Sequence, residues 1–405
     1  MVQSARVEGC GAARIHDTGL ILYLITSREC GEGEKKVVLT WGDQTSTVEH
    51  QIDFAGFGDE RTVSLDAEST RTISVHRANS WRGFLNEGAW RWRDGAGLLA
   101  KDGGLYLLGG WNSERDPTLN SEVWFTSDAQ HWRQLTAAAP WPGRHGAGWL
   151  VHGDRLYVIA GDLFSDVWSS RDGVSWRLHT AHAPFGPRYT PNAASDGERI
   201  FVYGGQSWIS DPTCATGPLC GAIGYNDVWL AAPGNRADAV GGRWTRVLPT
   251  APWGARGLVH GAAFFKGRIY VVGGGLKAVL PTTWPLAETV AEFSDVWSSA
   301  DGVNWRLEAE NLGIPPRTHF ALLATEHGCY LANGSVTTQP NTSSEVFFAS
   351  DCVHYAEIRG GSPLPVRHAS SLAYFNGSIV VLGGHGSTAG TVVWQYFPDV
   401  PGEAS

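Results

Sequence analysis

The sequence has one methionine in 405 residues, few lysines and no stretch of 18 apolar residues. The last absence leaves no segment to span a bilayer as a helix. No basic run or stripe appears, and the net charge is −9. Nucleic acid and anionic membrane surfaces are therefore not expected partners. There is no Gly-rich phosphate loop leading into a helix, no HExxH and no GxSxG, so three common catalytic frameworks are missing. No CxxC pair suggests a zinc ribbon. The six cysteines leave several pairings open, of which Cys10–Cys30, Cys214–Cys220 and Cys329–Cys352 are local. Disulfides would imply an oxidising compartment, extracellular or periplasmic. The N-terminus, MVQSARVEGCGAARIHD, does not read as a signal peptide, so that location implies a leader removed upstream. Six free thiols in a cytoplasmic protein are the alternative.

What the chain does have is glycine, 51 residues, and tryptophan, 19. These are placed periodically. Arg93, Arg144, Arg188, Arg256, Arg317 and Arg367 each precede an apolar strand, a tight turn and a second strand. That second strand ends in a small-residue pair: Gly109-Gly110, Ala160-Gly161, Gly204-Gly205, Gly273-Gly274, Asn333-Gly334 and Gly383-Gly384. The spacing from Arg to the second residue of the pair is 17 positions in five units and 18 in the fourth. A loop of variable length leads to a third strand, such as EVWF at 122–125 or DVWS at 166–169. A polar turn then precedes a fourth strand opening on Trp132, Trp176, Trp244, Trp305 or Tyr355, each 12 positions before the next Arg. After Trp394 that aromatic is missing. It occurs instead at Trp81, 12 positions before Arg93, so the last unit should borrow its outer strand from the start of the repeat region. A sheet closed this way hides its edges.

The period is about 50 residues, the spacing of Kelch repeats. In its Gly-Gly strand ends, repeated Arg and outer-strand Trp, the stretch 79–398 resembles the Kelch-repeat family. The resemblance implies a six-bladed β-propeller of the galactose-oxidase-like superfamily, with the blade number of the neuraminate-epimerase branch. The SSRDGVSW and SSADGVNW segments look like the Asp-box of sialidases but are one residue short, and read as hairpin turns. Residues 1–78 lie outside the repeat and show alternating segments at 20–27, 35–42, 46–54, 61–67 and 71–77. They are expected to form a small N-terminal β-sandwich, with His16, His50 and His76 on its surface. Residues 399–405 are a tail. The fold class expected is all-β.

Chemistry is expected where first strands meet a propeller axis. One position past each Arg stand Asp94, His145, Tyr189, Gly257, Thr318 and His368. His319 lies two past its Arg and His260 four past. With 14 histidines in the chain, roughly one would fall among these positions by chance; four do. His145, His319 and His368 are candidate ligands for a divalent metal: copper, zinc or iron. Tyr189, Asp94 and His260 are candidate catalytic groups, and His385 could also reach the opening. Arg144, Arg188, Arg317 and Arg367 are candidates to orient an anionic substrate. Trp111, Trp208 and Trp284, on the longer loops, are candidates to stack on a saccharide. Three residues before the arginines, Trp90, Trp141, Phe185 and Trp253 either form an aromatic platform or pack turns between blades.

The resemblance to galactose oxidase implies a copper site with a Tyr–Cys cross-link, but no cysteine here matches that position. Nor is a counterpart of that enzyme's C-terminal domain read in this chain. Two functions stay open. One is an enzyme acting on a small oxygenated or anionic molecule, metal-dependent or as a metal-free epimerase- or lyase-like proton transfer. The other is a non-catalytic propeller binding a glycan or a protein. Sequons at Asn333, Asn341 and Asn376 matter only in a eukaryotic secretory host.

Overall fold

The computed structural model describes residues 2–17, 21–26, 30–31, 34–41, 46–53, 60–64, 70–85, 90–115, 117–210, 219–232, 242–279, 287–336, 343–358, 361–386 and 392–398. The described residues contain strands and no helix, so the chain is all-β, and among them no helix is long and apolar enough to cross a membrane. Two compact units divide it. The first takes Met1–Phe84, Tyr374–Val380 and Trp394–Ser405; the second takes Leu85–Ala373 and Val381–Val393.

The first unit contains a seven-stranded sheet in the order Ser46–Asp53, Glu34–Trp41, Val2–Val7, Gly11–Asp17, Ile21–Thr26, Thr70–Arg77, Glu60–Ser64. Gly11–Asp17 is its fold line. The first half of that strand pairs with Val2–Val7 and the second half with Ile21–Thr26. The strands on either side of it form one hydrogen-bonded order that curls at this strand. Its core includes Val7, Leu22, Leu24, Val37, Leu39 and Ile73, with Cys10 bonded to Cys30. The sequence reading missed the strands at 2–7 and 11–17 because their alternating residues are Ser, Arg and Ala rather than β-branched. His76 is not a surface residue. It stacks on Phe397 with centroids 3.7 Å apart, contacts Ser74 Oγ at 2.8 Å, and is pushed down to about 3 by burial.

In the second unit, four repeats give four-stranded antiparallel sheets. In the first, Gly97–Lys101, Gly104–Leu108, Val123–Thr126 and Arg133–Thr136 lie side by side. Sheets beginning at Gly148–His152, Asn192–Ser195 and Ala263–Phe265 repeat this order. The fifth, built on Phe320–Thr325, gains Val259–His260 as a short parallel strand. The sixth sheet, whose strands draw residues from both units, joins Arg367–Phe375, Ser378–Gly386 and Val392–Phe397 to Ser80–Leu85, so the strand bearing Trp81 is its outer strand, as expected.

Burial grades across each sheet. The second strands Gly104–Leu108, Ile200–Tyr203 and Gly328–Ala332 are buried at every position, whereas Trp176–Thr180 and Trp305–Ala309 are half-buried or exposed. A strand covered on both faces reads as a continuous apolar run, which is how these second strands read in the sequence. Their side chains pack against the neighbouring repeat: Tyr106 and Leu108 with Leu156 and Val158, Tyr157 and Ile159 with Ile200 and Val202, Phe201 and Tyr203 with Ile269 and Val271, and Tyr270 and Val272 with Phe320 and Leu331. Cys329 and Cys352 form a disulfide. Cys214 and the loop expected to be closed by Cys214–Cys220 lie outside the described residues.

The small pair has a conformational reason. Both of its residues have positive φ in every repeat, from Gly109 (61°) and Gly110 (108°) to Gly383 (67°) and Gly384 (85°). A Cβ on Gly161 would sit 2.7 Å from Ala147, so the second position has no room for a side chain. The same residue hydrogen-bonds to the next repeat: Gly110 N–H donates to Arg144 O, Gly161 to Arg188 O, Gly205 to Arg256 O, Gly334 to Arg367 O, and Gly384 back to Arg93 O.

A second circuit joins the residues two past each Arg. Gly146 N–H donates to Gly95 O, Thr190 to Gly146 O, Leu258 to Thr190 Oγ1, His319 to Leu258 O, Ala369 to His319 O, and Gly95 to Ala369 O, over 2.5–3.0 Å. All these residues have left-handed φ, including the β-branched Thr190 at 47°. For non-glycine residues that conformation is unfavourable and persists only where its surroundings impose it.

The polar turns are hairpin turns. Asp172 Oδ1 accepts from Val174 N–H and Ser175 N–H, and Asp301 Oδ1 from Val303 and Asn304. Asn333 and Asn376 are buried, which leaves neither open to glycosylation in the folded chain; Asn341 lies outside the described residues.

Candidate functional site

The position after each Arg meets the position after each small pair. Asp94 bridges Trp111, Tyr189 bridges Gln206, Gly257 bridges Gly275 and Thr318 bridges Ser335 in antiparallel pairs. At the same register His145 meets Asp162 through its side chain, and His368 meets His385, ring to ring. Sequence reading identified the first member of each pair. Of the second members it identified only Trp111 and His385. Asp162 and Gln206 had a readable signal, being the residues directly after the second small residue.

The rings follow one another in an arc. Tyr189 and His145 have centroids 5.1 Å apart, His145 and Trp111 6.4 Å, Trp111 and His385 5.7 Å, and His385 and His368 5.3 Å. His368 and His319 follow at 5.5 Å, then His319 and His260 at 5.8 Å. Trp208 lies 5.2 Å from Tyr189, and Trp92 lies beside both Trp111 and His385. Tyr189, Asp94, His260, His145, His319, His368, Trp111 and Trp208 are therefore brought together; Trp284 lies outside the described residues. The side chains of His145, Asp162 and His368 keep 18%, 17% and 21% of their surface accessible, so solvent reaches this polar cluster.

Two carboxylate–histidine pairs organise the arc. In the first, Asp162 Oδ2 contacts His145 Nδ1 at 2.7 Å and accepts from His145 N–H at 2.6 Å. His145 Nε2 is 3.1 Å from the Tyr189 hydroxyl. Burial opposes the charged form of His145, but the hydrogen bond to Asp162 and the charges of Asp162 and Asp94 outweigh it, and its pKa is raised. Burial, then the Asp94 and Asp162 charges, push the Tyr189 hydroxyl well above its ordinary value.

In the second pair, His368 Nε2 lies 3.5 Å from Asp94 Oδ2, while His368 Nδ1 is enclosed with no hydrogen-bond partner among the described residues. Burial would raise the Asp94 pKa, but His368, His145 and His260 together hold it below the usual range. His260 is pushed down to about 4, chiefly by burial, and His319 is lowered further by burial and then by Lys277 and the neighbouring histidines. At neutral pH His260 and His319 are therefore uncharged.

The chain matches no protein-family model and no curated protein sequence.

The expected metal trio, His145, His319 and His368, lies along this one arc. Both ring nitrogens of His145 are engaged, by Asp162 and by Tyr189. Among the described residues, no group of three or more His, Cys, Asp or Glu is arranged to hold a metal ion.

The arginine expectation is also corrected. Arg144, Arg188 and Arg317 are fully buried. Arg144 donates to Ala160 O and to both oxygens of Asp166. Arg188 holds Gly204 O and Asp227 in the same way, and Arg317 holds Asn333 O and Glu345. Arg367 donates to Gly383 O and is 1% exposed. Each guanidinium ties the small pair of its own repeat in place, so none is available to a substrate. Trp90, Trp141, Phe185 and Trp253 likewise form edge-to-face pairs with Trp132, Trp176, Trp244 and Trp305, which makes them packing residues.

Proposed function

We propose that the second unit is a six-bladed Kelch-type propeller whose axial pocket catalyses proton transfer on a small oxygenated or anionic molecule, as an epimerase or lyase does. Supporting the propeller are the hydrogen-bond circuits, which run from repeat to repeat and return from the last to the first. The first unit, with its curled sheet, is an accessory domain. The two disulfides support work in an oxidising, extracellular or periplasmic setting.

The observation that carries the enzymatic reading is the Asp162–His145–Tyr189 chain of contacts beside the Asp94–His368 pair. A carboxylate behind an imidazole fixes its orientation and its proton. With His145 protonated, its Nε2–H donates to the Tyr189 oxygen, and the phenolic proton is free for the substrate. Tyr189 is then the proton donor, re-supplied by His145. His368, whose ring keeps part of its surface accessible and whose Nε2 faces Asp94 across 3.5 Å, is the proton acceptor. His260 and His319 stay neutral and offer hydrogen bonds without adding charge. In this scheme His368 removes the proton next to a carbonyl or carboxylate, and Tyr189 returns a proton to that carbon or protonates a departing β-substituent.

The test is incubation in heavy water with a panel of sugars and sugar acids, read by NMR for replacement of carbon-bound hydrogen. Exchange that disappears in Tyr189→Phe supports the reading, and no exchange across the panel counts against it. The stacked wall of Trp92, Trp111 and Trp208 favours a second reading, a saccharide-binding propeller without turnover. Binding without exchange would select it.

A further inference from the structure

One of the chain's few lysines stands at this site. Lys277 belongs to Gly275–Val279, the strand directly after the fourth small pair. Gln206, fully buried, holds it from both sides: Lys277 N–H donates to Gln206 Oε1 at 3.0 Å, and Gln206 Nε2 donates to Lys277 O at 3.1 Å. Gln206 is itself locked to Tyr189 by two backbone hydrogen bonds of 2.7 and 3.0 Å. One connection therefore fixes the Lys277 backbone relative to the proposed proton donor.

The ammonium interacts electrostatically with Asp94, Glu292 and His319, yet forms no hydrogen bond or ion pair with any described residue. The residue is half-buried. A cation held among neutral histidines, without a carboxylate in contact, is costly to keep unless something pairs with it. At the same site Asp94 Oδ1 is buried and lacks a donor among the described residues. Among the described residues the site therefore offers one cation without a hydrogen bond or ion pair, one carboxylate oxygen short of a donor, and a wall of indole rings.

We propose that Lys277 is the anion-recognition residue of this pocket, and that it holds the carboxylate of a small polyhydroxylated acid whose hydroxyls face Asp94. The proposal rests on reading the pocket as a substrate site. A carboxylate fits better than a phosphate. Lys277 supplies a single point charge, the forked groups of Arg144, Arg188, Arg317 and Arg367 are buried away from it, and Asp94 would repel a second negative charge.

The experiment is isothermal titration calorimetry of the intact chain with galacturonate and glucuronate, and with the matching neutral sugars galactose and glucose. Wild type, Lys277→Met and Lys277→Arg are compared, with thermal unfolding as the folding control. The expected result is binding of a uronate in preference to its neutral partner. Lys277→Met should weaken it by about tenfold or more, Lys277→Arg should retain it within a few-fold, and all three proteins should melt alike. A cation needed only to balance Asp94 and Glu292 would leave uronate selectivity unchanged. The proposal is overturned if no uronate binds, if neutral sugars bind as tightly, if Lys277→Met binds uronate as wild type does, or if inorganic phosphate binds more tightly than the uronates. Uronate binding through Lys277 without hydrogen exchange would sink the catalytic reading and leave the Lys277 assignment standing. Exchange and binding untouched by Lys277→Met would do the reverse.

Discussion

Replacing Arg144 by methionine separates a structural arginine from a substrate-binding one. Arg144 is fully buried; its Nη1 and Nη2 reach Asp166 Oδ1 and Oδ2 at 2.5 and 2.8 Å, and Nη1 also holds Ala160 O at 2.8 Å. Its Nε donates to Pro142 O, and the guanidinium lies over the Phe164 ring at 4.4 Å. Methionine fills much of the stem volume but leaves Asp166, whose side chain is 11% exposed, with only the Trp168 indole N–H as a side-chain donor. Removing one partner of a buried pair costs about 3–5 kcal/mol. For a unit of this size that lowers Tm by roughly 5–15 °C. Adding Asp166→Leu removes the stranded charge and should recover stability to within about 2 kcal/mol of wild type.

Arg367 is the internal control. The sixth repeat carries Thr391 where the others carry Asp or Glu, and Arg367 contacts no carboxylate among the described residues. Arg367→Met should therefore cost less, about 1–3 kcal/mol. Urea unfolding of the four proteins gives all the values. If Arg144→Met kept wild-type stability while abolishing ligand binding, the structural assignment of these arginines would be refuted.

Three further outcomes are expected. Gly95→Ala should destabilise by about 1–3 kcal/mol in urea unfolding, because φ there is +58° and the new methyl would lie 2.9 Å from Gly146 N, inside the inter-repeat circuit. Stability should fall as pH drops from about 6.5 toward 4, because His260 has a folded pKa of about 4, below its ordinary 6.5, so the unfolded chain takes up protons first. His145, with its pKa raised, contributes in the opposite sense, adding stability below 6.5 that is lost as pH rises through its folded value; His260→Gln should flatten the acid limb of a plot of Tm against pH. Treatment with EDTA should leave hydrogen exchange and Tm unchanged, since Asp162 and Tyr189 occupy the nitrogens of His145; activity lost to EDTA and restored by one metal would require a different ligand set.

Much of the repeat was legible because its constraints are local. The small pair is dictated by positive φ and by a Cβ clash, the Arg by the carbonyl of that pair, and the outer-strand Trp by an edge-to-face contact inside the same repeat. Each recurs at fixed spacing. The site is less regular because it combines different residues at one register. Asp94, His145, Tyr189 and His368 could be found by counting from Arg. Asp162 and Gln206 required knowing that the residue after the small pair pairs back onto that position, and Lys277 lies two residues further along. The arginines misled for the converse reason. Charge and repetition suggest a ligand, but their partners Asp166, Asp227 and Glu345 open third strands more than 20 residues away, and only the fold brings them into contact. In the first unit, the curl depends on Gly11–Asp17 pairing to a different neighbour along each half, which no alternation pattern encodes.

The most direct test of the central claim is hydrogen exchange at the carbon next to the carboxylate of galacturonate or glucuronate, followed by NMR in heavy water for wild type and Tyr189→Phe. The account predicts deuterium at that carbon with wild type, and a rate at least about a hundredfold lower in the variant, the scale of a lost general acid. Equal rates in the two proteins, or no deuterium with wild type, would contradict it.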